Sequence, residues 1–161
     1  MINSTASGFI LLAAGLSFCG FWFLRPYKKS NGSGRVGFLL TIIFLGYGIQ
    51  NGWMGLGMWI FAHNSEGLFV TLLVDNILLT ITAAFCVYTS YYIFSPHVSP
   101  WRSIMLTVLL GTIATITTVI SHPLPYLTAH NSIELNTGKG LGFLIFYLLF
   151  INIGSSIYIF G

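Results

Sequence analysis

The sequence predicts an all-α bundle of membrane-spanning helices, and three observations carry that prediction. First, 55% of the 161 residues are hydrophobic and only 6% are charged, whereas an ordinary soluble domain is about 25% charged. Six basic and three acidic side chains cannot clothe a water-facing surface of this size, and a bilayer removes that requirement. Second, the apolar residues gather into five runs, 8–24, 36–62, 68–94, 103–120 and 141–160. Each approaches or exceeds the roughly 20 residues that a spanning helix needs. Third, the basic residues are confined to particular loops, which is a topology signal.

The first run follows a stretch without Lys or Arg and is itself followed by Arg25, Lys28 and Lys29. A positive flank after the run marks a retained helix rather than a cleaved signal peptide. Runs two and three are each about 27 residues long, so at about 1.5 Å per residue they exceed a ~30 Å hydrocarbon core. A short turn over 63–67 makes them a tight helical hairpin. No run alternates apolar and polar residues as a membrane strand does, and only helices satisfy their own backbone groups in lipid. Residues 121–140 form the longest connection, with Pro123, Pro125, His122, His130 and Lys139. It is too short to be a domain, so the whole chain, 1–161, is expected to be a single membrane-embedded unit.

Arg25, Lys28, Lys29 and Arg35 lie in the first loop and Arg102 in the third; the second loop has no Lys or Arg, and the fourth has Lys139 with Glu134 nearby. The positive-inside rule then puts loops one and three in the cytoplasm. With five spans, the N-terminus is outside and the C-terminus cytoplasmic. Run five stops at Gly161 without a basic or polar flank, which leaves room for a cytoplasmic domain beyond it. The formal charge of +3 reflects these loop residues and not a nucleic-acid surface.

Four groups of residues are candidates for function. Asp75, followed by Asn76, is the only ionisable residue deep in an apolar run. An intramembrane carboxylate is costly and is a functional-site candidate by default, as a proton or cation site or a ligand anchor, beside the plainer reading of a carboxyl hydrogen-bonded to neighbouring helices. Thr71, Asp75, Thr82, Cys86 and Thr89 share a face with it at helical spacing, and run four offers a matching stripe of Thr107, Gly111, Thr115, Thr118 and His122. In run two, Gly48, Gly52 and Gly55 lie on one face, a surface on which another helix can approach closely. Gln50, Asn51 and Trp53 lie in the same stretch and need partners. His63, His122 and His130 are all expected near the outer surface, where imidazoles at one depth suit a transition metal or haem-type cofactor. Their spacing is not diagnostic, and no cofactor is specified. Asn3-Ser4-Thr5 matches a glycosylation sequon.

No nucleophile elbow, metalloprotease helix, phosphate-binding loop or carboxylate pair is present in the sequence. Cys19 and Cys86 both fall in apolar runs and suit small packing residues. The favoured expectation is a non-catalytic integral membrane subunit or binding module that packs on partner helices and takes a hydrophobic ligand or cofactor near its outer face. Its partners would be the lipid bilayer and other membrane subunits or a second copy of itself, with no nucleic acid. The alternatives are the transmembrane input region of a sensor or receptor, and a small transporter or channel working through Asp75. A membrane enzyme ranks last.

Overall fold

The computed structural model describes residues 3–29, 34–134, 150 and 154. Run five, 141–160, lies outside the described residues except for two positions. Four helices are described: α1 (Ser4–Lys29), α2 (Arg35–Ile60), α3 (Ser65–Phe94) and α4 (Trp101–Ser121). All four are long and apolar enough to cross a membrane. They pack in chain order, each antiparallel to the next. Arg25, Arg35 and Arg102 therefore lie towards one end of the bundle, called here the basic end. At the other end α4 leads into two short strands, β1 (Tyr126–Leu127) and β2 (Ile133–Glu134), paired as a hairpin.

Helix ends are set by capping chemistry rather than by the limits of hydropathy. α1 begins at Ser4, ahead of its apolar run, because the Asn3 side chain accepts a hydrogen bond from Ala6 N–H at 2.7 Å. That satisfies one of the four donors a helix N-terminus leaves free. α3 begins at Ser65 because Asn64 accepts from Gly67 N–H at 3.1 Å. The turn before it is closed by Asn64 N–H donating to the Phe61 carbonyl. α4 ends on His122, whose φ of 41° is left-handed. The His122 N–H closes the last turn on the Thr118 carbonyl, the usual use of a left-handed residue at a helix end, and Pro123 prevents continuation.

The hairpin is fastened to the start of the chain. Ser4 N–H donates to the Asn131 carbonyl, and Ile133 N–H donates to the Thr5 hydroxyl. Ile133 is buried with Ala6, Met54, Met58 and Leu68, and Leu127 packs on the same cluster. Residues 126–134 thus form a lid over the ends of α1, α2 and α3, where the sequence suggested only a loop. The hydroxyl of exposed Tyr126 donates to the Glu134 carboxylate. That bond, with the nearby negative charge, raises the Tyr126 pKa above its ordinary value. The sign follows: the interaction is fully present below about pH 10, the ordinary phenol value, and is lost as pH rises through the raised value. Tyr126 should therefore ionise later than the phenol of the Glu134→Gln variant in a spectrophotometric titration. Coincident titration curves would refute the assignment.

Candidate functional site

The polar residues singled out in runs two and three meet across the α2–α3 interface. The Gln50 side chain hydrogen-bonds the Asp75 carboxyl. One turn towards the hairpin end, Trp53 Nε1–H donates to the Thr71 carbonyl at 3.0 Å. Towards the basic end, the hydroxyl of Tyr47, one turn from Gln50 on α2, contacts Sγ of Cys86, about three turns from Asp75 on α3, at 3.6 Å. Asn76 faces the other way and donates to the Thr118 hydroxyl of α4 at 3.0 Å. Two adjacent residues of α3 therefore tie it to helices on both sides. Asn51 is turned onto its own helix, its Nδ2 donating to the Tyr47 carbonyl.

Two acceptors are left over. Gln50 Oε1 and Asp75 Oδ1 are buried without a hydrogen-bond partner among the described residues. Both side chains belong to residues that are 9% exposed. An unmet buried acceptor costs about 1–3 kcal/mol, more when charged. This pair therefore combines burial, ionisable chemistry and unmet hydrogen-bonding capacity.

The glycines sort onto two interfaces. A side chain at Gly48 would strike Ser17 and one at Gly55 would strike Ile10, while Gly52 lies within ordinary reach of Ala13. The seam noted in the sequence is therefore filled by α1 of the same chain. A second set escaped the sequence reading. Gly57 lies against Thr71, Gly46 against Thr82 and Gly111 against Thr80, so threonines of α3 press into glycine gaps on both neighbours. Reflection of the sequence through the turn over 61–64 would have found the Gln50–Asp75 pair, whose members are equally far from its centre, but not the glycine–threonine contacts.

The threonine stripes do not present their hydroxyls to a channel. Thr71, Thr82 and Thr89 of α3, and Thr107, Thr115 and Thr118 of α4, each donate to the backbone carbonyl four residues earlier. Such back-bonding satisfies the hydroxyl within its own helix.

The histidines are near the hairpin end but are not gathered into one site. His122 Nε2 lies 3.3 Å from Glu66 Oε1, and its ring packs on Phe69 with centroids 4.2 Å apart. Both members of the pair are exposed, so it contributes little, about 0–1 kcal/mol. His63 and His130 are exposed. Among the described residues no group of three or more His, Cys, Asp or Glu side chains is placed to hold a metal ion. The Asn3 amide of the sequon is buried at 1% exposure and donates to the Met58 carbonyl at 2.8 Å, so a glycan has no free nitrogen there in the folded chain.

On one flank of the bundle α3 stands as a ridge between two open apolar grooves. The groove shared with α4 has a volume of about 380 Å³ and is lined by residues including Ile77, Ile81, Ala84, Gly111, Thr112 and Thr115. The groove shared with α2 has a volume of about 310 Å³, with Gly46, Ile49, Leu78 and Thr82 in its lining. Ile81 and Phe85 border both. No known protein family, curated protein or solved structure matches this chain.

Proposed function

We propose that the chain is an integral membrane module, its basic end cytoplasmic, that docks a transmembrane helix of a partner subunit along α3. One observation supports this more than any other. α3 is central to the bundle, packed by α2 on one side and α4 on the other, yet it keeps Ile77 and Ile81 about half exposed between two grooves. Lipid chains cover single apolar side chains without any groove. The small residue Ala84 in the groove wall suits a helix backbone, which associates in lipid through close packing rather than hydrophobicity. The glycine face of α2 is already occupied by α1 of the same chain.

Site-directed crosslinking in native membranes tests the proposal. Cys19 and Cys86 are first replaced by Ser and Ala, and single cysteines are placed at Ile81 and Thr112, with Leu11 on α1 as the control. Crosslinked adducts of defined mass from positions 81 and 112, and none from position 11, are the expected result. Mass spectrometry of mild-detergent extracts identifies the partner. A lone monomer without adducts at any position would refute the docking role.

A further inference from the structure

We infer that Asp75 and Gln50 together bind one monovalent cation, a proton or an alkali-metal ion, between α2 and α3. The inference rests on the membrane placement proposed above but not on the docking of a partner.

The geometry of the pair supplies the first argument. Gln50 and Asp75 are in hydrogen-bonding contact, yet among the described residues Gln50 Oε1 and Asp75 Oδ1 each remain without a donor. The carboxamide has one donor group, and a carboxylate has none. Two acceptors cannot satisfy each other. A positive centre can satisfy both.

Charge supplies the second. Among the described residues no cationic side chain pairs with Asp75. Arg25, Arg35 and Arg102 are at helix ends at the basic end. On the neighbouring elements the other titratable groups are engaged with one another: Tyr47 of α2 with Cys86 of α3, and Glu66 of α3 with His122 of α4. Tyr88, Tyr91 and Tyr92 lie on the last turns of α3, remote from Asp75. An isolated buried carboxylate costs several kcal/mol, and a bound cation removes that cost where a neutral water molecule would not. Uptake is an exchange with the aqueous phase: the carboxylate gains the ion, forming an O–H bond where the ion is a proton, and the medium loses it.

The site also sits where binding would be felt. Asp75 joins α3 to α2, and the adjacent Asn76 joins it to α4. Loading or emptying the site changes the charge at the junction of three helices.

The test uses the full chain in lipid nanodiscs, with insertion scored first by flotation, so that failure of the membrane placement is seen separately. A hydrophobic carbodiimide adds to a protonated carboxyl and is retained as an N-acylurea. Mass spectrometry should find one adduct, at Asp75, that is absent in Asp75→Asn. Its yield should fall about tenfold per pH unit above the site's midpoint. Suppression by Na⁺ or K⁺, but not by choline at equal ionic strength, identifies an alkali-metal site. Insensitivity to those ions identifies a proton site. Thermal unfolding of wild type and Asp75→Asn supplies a second readout. The difference between their melting curves should vary with pH or alkali-ion concentration, because the amide cannot exchange a cation. A varying difference without an adduct still supports the site and shows that the reagent is excluded. Curves that stay parallel under all conditions, together with an unlabelled Asp75, would overturn the inference.

Discussion

Alanine at Gly111 should lower the stability of the folded bundle by about 1–3 kcal/mol, the usual cost of forcing extra atoms into a packed interface. The added methyl would overlap the hydroxyl, the methyl and the Cβ of Thr80. Thr80 cannot swing aside cheaply, because its hydroxyl donates to the Asn76 carbonyl at 2.7 Å and a β-branched side chain has few rotamers in a helix. Gly57→Ala should behave alike, because its methyl would overlap the Thr71 side chain, itself bonded to the Gly67 carbonyl. Gly15→Ala is the control. Nothing lies within 4 Å of that position, so the substitution should be neutral or gain up to about 1 kcal/mol from helix propensity. Thermal unfolding in detergent separates these cases. Thr80→Ala combined with Gly111→Ala should recover part of the loss, since the two sites share one gap. If Gly111→Ala melts like Gly15→Ala, the close approach of α3 and α4 is wrong.

Asn3→Ala should be nearly as damaging. One small side chain caps α1 through Ala6 N–H and reaches across to the carbonyl of Met58 near the end of α2. Loss of an N-cap costs about 1 kcal/mol, and a stranded buried carbonyl adds about 1–3 kcal/mol. Asn3→Asp divides the two roles, because it keeps the acceptor for Ala6 but has no donor for Met58. It should fall at or below Asn3→Ala, since it also buries a charge without a partner. Asn3→Ser keeps the cap alone and should lose less than either. Melting temperatures of the three variants in the same detergent give the ranking. Equal stability of Asn3→Ala and wild type would remove the bridge to Met58.

The helices were legible in the sequence because length and apolarity suffice to identify them, and both survive any detail of packing. Their ends were not, because a window of hydropathy does not register a cap. Ser65 and Ser4 start helices on account of Asn64 and Asn3, each one residue upstream. α1 likewise continues to Lys29, past Arg25 and Pro26, where the apolar run stops at Leu24. Asp75 stood out as a lone charge, and Gly48, Gly52 and Gly55 as one face. Neither observation named a neighbour, because which face of α2 meets α1 and which meets α3 depends on rotations that composition does not encode. The Thr71–Gly57 and Thr80–Gly111 contacts were hidden for the same reason. Threonine and glycine look unremarkable singly, and their fit emerges only once the antiparallel register is set. The lid of 126–134 is held by backbone bonds to Ser4 and Thr5, about which side-chain chemistry says little.

That lid has a bearing on how the protein is made. A ribosome delivers α1 before the other described helices, yet the groups that secure its start lie far downstream. Asn3 waits for Met58, Ser4 for Asn131 and Thr5 for Ile133. Such long sequence separations are slow to close. Of the described helices the earliest made is thus among the last to be locked, and until residue 133 is in place, α1 is held chiefly by its glycine seam with α2. Truncation before the hairpin should leave an assembly that inserts normally but whose first helix stays loose, open to quality-control proteases during every round of synthesis.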